Sequence, residues 1–225
     1  MPTIEELSGA LQLASPALPI GSFSYSQGLE TAVELGLVNN EQTARVWIDA
    51  GLTGIIGRCD APVMISIFRT YQVESESELA SLNSWYLASR ESVELREETL
   101  QMGWSLLRLA NALHWLDPQN PVNRLTQVAF PTAFAAAAVA LDLSEDIALT
   151  AFCFGWLESQ VLAIMKLIPL GQVAGHRVLT ECRARIGDVV NLAKTVSFED
   201  VSAFAPMLAI VSGRHEDQYT RLFRS

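Results

Sequence analysis

The sequence predicts an all-α, single-domain, multi-helix bundle of about eight to ten helices across residues 1–225. Three observations predict it. Apolar residues recur at helical spacing along nearly the whole chain, no stretch alternates apolar and polar with a period of two, and Val and Ile clusters fall on helical faces. Half of the residues are hydrophobic and 18% are charged, which supports a sizeable core and excludes disorder over most of the length. No internal repeat or low-complexity segment interrupts the pattern.

Thr3-Ile4-Glu5-Glu6 has the spacing of a capping box and opens a first helix that stops before Pro16. Pro16 and Pro19 push Ser15 and Leu18 towards extended geometry, and Gly21 lets the backbone turn. Ser22 or Ser24 then caps a helix running to Gly36. With Ile20, Phe23 and Tyr25 lying among the breakers, Ser15–Glu30 reads as a rigid, packed corner.

Asn39 or Asn40 caps a run through Val46, Ile48, Leu52 and Ile56, and Asp60 with Pro62 starts another that ends near Tyr71. Ser75-Glu76-Ser77-Glu78 repeats the capping-box spacing. Leu95, Thr99, Met102, Leu106, Leu109 and Leu113 then line one face of a long helix, which Asp117-Pro118 and Asn120-Pro121 end. Pro131 fits the first turn of an alanine-rich helix whose Ala135–Ala138 belongs in the core. Ser144 caps a long helix terminated by Pro169, Gly171 to about Leu192 forms one more, and Ser197-Phe198-Glu199-Asp200 signals a short one.

Fifteen basic residues against twenty-five acidic give a net charge of −10, which argues against a nucleic-acid binder. Cys59, Cys153 and Cys182 are odd in number and far apart, with no CxxC, so neither a zinc knuckle nor a disulfide framework is indicated. MPTIEEL carries acid where a signal peptide carries positive charge. The apolar tract Phe130–Leu141 is too short to span a bilayer, and Phe152–Leu170 is interrupted by Glu158 and Lys166. The expectation is a soluble, cytoplasmic protein without membrane attachment.

The chemistry is mostly absent. There is no GxxxxGK[ST] loop, no GxGxxG after a strand and no GxSxG. His114, His176 and His215 lie in separate segments, without an HxxxH or ExxH pair that would prepare a metal site. Glu91, Glu94, Glu97 and Glu98 crowd the start of the long helix and read as a solvated face that favours the helix dipole, with Arg90 able to pair with Glu94 at i,i+4. The expectation is a chain without catalytic residues.

Two further stretches stand out. In Ile164–Gln172 an apolar helix carries Lys166 in its last turn before Pro169 and Gly171. At the end of the chain, residues 213–225 mix Tyr219, Leu222 and Phe223 with Arg214, Arg221 and Arg224, a composition typical of interface hot spots. A tail that is locally basic and aromatic on an acidic body reads as a docking element that orders on a partner.

SPALPIGSFSYSQGLE at Ser15–Glu30, REETLQMG at Arg96–Gly103, LIPLGQ at Leu167–Gln172 with His176-Arg177-Val178-Leu179 beyond it, and HEDQYTRLFRS at the end resemble the urease accessory protein F family over essentially the whole chain. Many relatives are expected to carry arginine where this chain has Lys166. The resemblance implies an all-helical, dimeric, non-catalytic maturation factor for the nickel enzyme urease. It implies partners: the accessory protein called D, or H in some species, the accessory GTPase called G, and apo-urease, with nickel and GTP handled by those partners and no cofactor bound directly. Carried onto this chain, contacts with D/H fall on Arg214, His215, Tyr219, Arg221, Phe223 and Arg224. Lys166 and Gln172 form a second surface facing the GTPase or urease, and the corner presents Tyr25 and Glu30. The alternatives are a nickel carrier with a metal site at a dimer axis, and a helical enzyme lined by Glu30, Glu158 and His176.

Overall fold

The computed structural model describes all 225 residues, and its regular structure is entirely helical. The α-helices are α1 (Ile4–Ala14), α2 (Leu29–Glu34), α3 (Glu41–Thr70), α4 (Glu76–Ala88) and α5 (Val93–Ala112). They continue with α6 (Phe130–Ala140), α7 (Glu145–Leu167), α8 (Gln172–Arg183), α9 (Ile186–Thr195) and α10 (Pro206–Glu216). Buried apolar side chains from nearly every helix form one contiguous cluster.

Capping side chains hold the expected starts. Thr3 Oγ1 accepts the Glu6 N–H at 3.0 Å, Ser75 Oγ accepts that of Glu78, and Asn40 and Thr43 cap each other reciprocally. Ser144 departs from expectation: its hydroxyl turns to the Glu6 carboxylate and ties the start of α7 to α1. Ala133–Ala138 of α6 are buried, and α6 packs between α5 and the second half of α3. Gly103 of α5 permits this approach, since a Cβ there would lie 2.2 Å from the Val128 carbonyl oxygen.

Four boundaries differ from the sequence expectation. Asp60-Pro62 does not start a new helix. Residues Leu52–Asp60 are π-helical, with the Ala61 N–H reaching back five residues to Ile56, and Pro62 falls in the first turn where the register returns to α. Ser22–Ser24 form only a 3₁₀ turn, and α2 begins at Leu29 after Gly28, which has φ +77° and no side-chain cap. The span Gly171–Leu192 is two helices, because α8 lies on α7 and the first half of α3, whereas α9 lies on the π-helical stretch. Finally, α10 extends to Glu216, so the segment expected as a tail from residue 213 begins inside a helix.

α3 and α7 are long and apolar enough to cross a membrane. Their apolar windows are 72% and 56% buried within the fold, however, so packing accounts for their composition.

Candidate partner-docking site

The chain after α10 folds back onto the corner and the start of α5. Glu30, in the first turn of α2, is its main anchor: its carboxylate accepts the N–H of Leu222 at 2.7 Å and that of Phe223 at 2.9 Å. Ser26 N–H and Ser26 Oγ both donate to the Ser225 main-chain oxygen, at 2.8 and 2.6 Å, and the Arg224 N–H donates to the Ser24 carbonyl. Consecutive backbone groups of the tail are thus satisfied by fixed groups of the corner, which makes the contact specific for chain direction and register.

His215, with no solvent exposure, sits between two carboxylates. Its Nδ1 is 2.6 Å from Glu94 and its Nε2 is 3.2 Å from Glu30. Each ring nitrogen thus has a carboxylate oxygen within hydrogen-bond distance. Arg221 Nη1 donates to the other Glu94 oxygen at 2.6 Å. Further out, Val93 N–H donates to Glu216, and the Ser92 and Ser212 hydroxyls lie 2.6 Å apart. Gly28 lets α10 approach, since a Cβ there would lie 2.5 Å from Val211 Cγ2.

A second buried carboxyl extends the seat inward. Glu98 accepts from Ser225 Oγ and from Gln27 Nε2, each at 2.7 Å, and burial raises its pKa to about 7. Gln27 in turn accepts from Trp156 Nε1 at 2.7 Å. Because an indole N–H can only donate, this bond orients the Gln27 amide with its NH₂ towards Glu98. Gln27 has φ +52° and precedes Gly28 at φ +77°, a pair of left-handed residues that aims the amide inward.

These contacts correct several expectations. The tail is seated on its own body. His215, Phe223, Tyr25 and Glu30 are buried, so the corner does not present Tyr25 and Glu30 outward, and His215 and Phe223 support the tail from beneath. The acidic start of α5 is not a solvated face: Glu94 and Glu98 are buried, while Glu91 and Glu97 remain outside. Arg90 pairs with Asp60 at 3.2 Å instead of Glu94, lies 4.0 Å from the centroid of the Tyr86 ring, and is almost wholly enclosed. Arg90 lies in the connection before α5, which starts at Val93, so it does not share the helical surface that i,i+4 pairing requires.

The exposed tail side chains are Arg214, Glu216, Asp217, Tyr219, Thr220, Arg221, Leu222 and Arg224. Arg224 borders a shallow depression lined by Glu97, Leu100, Gln101 and Trp104. Lys166 is also exposed, and its Nζ lies 5.6 Å from the Phe223 ring centroid and 6.0 Å from that of Phe23, within cation–π range. The corner, the end of α7 and the tail therefore meet in one place. Gln172, exposed at the start of α8, makes no hydrogen bond with this assembly.

Sequence reasoning missed Gln27, Ser26, Glu98 and Ser225. The one available signal was the crowding of carboxylates at Glu94–Glu98 beside a basic tail.

A family model described as UreF matches residues 38–183. A protein of Cupriavidus taiwanensis named "Urease accessory protein UreF" is 44% identical over 230 residues, covering all of both chains. The chain belongs to the UreF family. The family match spans α3 through α8, and the full-length relative extends the likeness through the corner and the tail.

Of the groups considered for a helical active site, Glu158 and His176 lie close enough to interact electrostatically, whereas Glu30 is engaged elsewhere. Glu30 is occupied by the tail, and His176 lines a shallow depression with Val173, Arg177, Thr180 and Glu181. No three His, Cys, Asp or Glu side chains are disposed to hold a metal ion. Burial pushes the Cys59 and Cys153 thiols up to about 12 and the Cys182 thiol to about 11, so none is a ready thiolate.

Proposed function

We propose that this UreF-family chain is a non-catalytic urease maturation factor that docks accessory protein D/H through its seated C-terminal segment. With D/H it recruits the accessory GTPase G, and the assembly supports GTP-dependent nickel incorporation into apo-urease. The chain works in the cytoplasm as a homodimer, with nickel and GTP handled by its partners. Family membership supports the accessory role, as does the name carried by the full-length relative.

The observation that carries the docking reading is the division of the tail into two faces. Phe223, His215 and Ser225 are buried against the corner and α5, while Tyr219, Leu222, Arg214 and Arg224 face outward from a backbone held by Glu30 and Ser26. Preorganised aromatic and arginine side chains lose little conformational freedom on binding, which suits them as anchors. Arg221, partly engaged with Glu94, and Arg224 supply forked donors for partner carboxylates. Lys166 adjoins this face, while Gln172 belongs to a second surface towards the GTPase or urease.

A pull-down with D/H using a chain truncated after Asp217 tests the assignment. This truncation keeps α10 and His215 and removes the outward-facing Tyr219, Leu222 and Arg224 together with the buried Phe223. Loss of capture is expected, and undiminished capture by a folded truncation would refute it.

A further inference from the structure

We infer that Trp156 is a positioning residue for the C-terminal segment, acting on Ser225 through the Gln27 amide and the Glu98 carboxyl. This rests on the reading above, in which the segment is the docking element, and names a residue outside it that sets its placement.

Three side-chain hydrogen bonds of 2.7 Å each join α7 to the last residue of the chain. Trp156 Nε1 donates to Gln27 Oε1, Gln27 Nε2 donates to one Glu98 oxygen, and Ser225 Oγ donates to the other. The paired positions lie 129, 71 and 127 residues apart, so no local chain constraint substitutes for these bonds. Glu98 is buried and Ser225 has no solvent exposure, so water is a poor replacement for a lost partner.

Gln27 is the link that carries direction. A primary amide has one accepting and one donating end, and an indole N–H only donates. While Trp156 holds the amide oxygen, the NH₂ must face Glu98, whose carboxyl accepts from Gln27 and Ser225 alone. Without the indole donor the amide is free to turn, and its oxygen would then oppose a carboxyl oxygen. Glu98 would lose its inner donor in a buried site, and the orientation that receives Ser225 Oγ would no longer be fixed.

Trp156 is itself set by the packing of α3 against α7. A Cβ on Gly51 of α3 would lie 2.7 Å from Trp156 Cη2, so the indole edge rests on that glycine. Trp156, Gln27 and Gln160 also line both an internal cavity of about 80 Å³ and a surface groove of about 710 Å³, which Val46, Trp47, Phe204 and Met207 border. The indole thus transmits the spacing of α3 and α7 to a tail that makes no hydrogen bond with either helix.

The test uses the full chain alone at one fixed pH and reads two NMR signals. Amide exchange protection of Phe223 and Arg224, whose N–H groups bond Glu30 and Ser24, is expected to fall on the order of fivefold in Trp156→Phe and in Ser225→Ala. The double variant is expected to lose no more than the more affected single variant, since both changes cut one chain of bonds. The Trp156 indole resonance is expected to shift in Ser225→Ala, while those of Trp47, Trp85 and Trp115 stay in place. Gly51→Ala, which displaces the indole and deletes no hydrogen-bonding group, is expected to lower the same protection, and it serves if Trp156→Phe does not fold. Unchanged protection in Trp156→Phe or Gly51→Ala, losses that multiply in the double variant, or an indole resonance indifferent to Ser225→Ala would overturn the inference. Because no partner is present, that result would leave the docking reading standing on its own pull-down.

Discussion

Glu30 and Phe223, separated by 193 positions in sequence, are joined by a 2.9 Å hydrogen bond from the Phe223 N–H to a buried carboxylate oxygen. The same carboxylate takes the Leu222 N–H and faces His215, so one side chain of the corner organises the end of the chain. Glu30→Ala removes the acceptor for two main-chain donors and one face of His215. Each polar group left unpaired costs about 1–3 kcal/mol. The expected outcome is faster tryptic cleavage after Arg221, with the helical circular dichroism of the body retained.

Gly28 and Gly21 offer a matched comparison, since both have positive φ. A Cβ at Gly21 meets open space, whereas one at Gly28 collides with Val211 of α10. Gly21→Ala is expected to cost about 1 kcal/mol from backbone strain alone. Gly28→Ala should cost at least about 1 kcal/mol more, because α10 must also shift. Thermal denaturation of the two variants side by side reads the difference.

The enclosed pair Arg90–Asp60 should behave unlike the exposed pair Arg124–Glu76. Arg90→Met leaves a buried carboxylate uncompensated and is expected to destabilise by roughly 3–5 kcal/mol. Arg124→Met should change stability by about 1 kcal/mol or less. Urea unfolding of both variants measures this, and adding Asp60→Asn to Arg90→Met is expected to recover part of the loss.

Glu98 also makes a prediction for global stability. Its folded pKa of about 7 is above the usual carboxylate value, so the folded state binds the extra proton between about pH 4.5 and 7. Stability from this group is therefore fully present below that window and declines as pH rises through it, by up to about 3 kcal/mol. The unfolding free energy of Glu98→Gln should lack this decline, so subtracting the two pH profiles isolates it.

Tyr219 and Phe223 separate docking from seating. Tyr219 is fully exposed, so Tyr219→Ala should leave the melting temperature within about 1 °C while weakening capture of D/H by roughly tenfold or more. Phe223 is buried in the core cluster, and Phe223→Ala should lower both stability and capture. Equal melting losses in the two variants would contradict the two-faced tail.

Local signals were enough to read much of this protein. Helical period, caps at Thr3, Asn40 and Ser75, and breakers at Pro16 and Gly36 act over a few residues, so they are legible in one sequence. The same reading placed Ala135–Ala138 in the core and singled out the corner, the end of α7 and the tail as unusual stretches. It did not foresee the continuous α3, because a π-helical register depends on what packs beside it, here α9.

What only the tertiary structure decided is which polar groups leave water. Glu91, Glu94, Glu97 and Glu98 look alike in sequence, yet Glu94 and Glu98 are enclosed because α10 and the returning tail cover that side of α5. His215 likewise seemed an exposed contact and is instead clasped by Glu30 and Glu94. The sequence by itself determined an acidic, all-helical body and the identity of its signature stretches. Their meeting around Glu30, Ser26 and Glu98 was settled by long-range packing, because the environment of an ionisable group is set by neighbours far away along the chain.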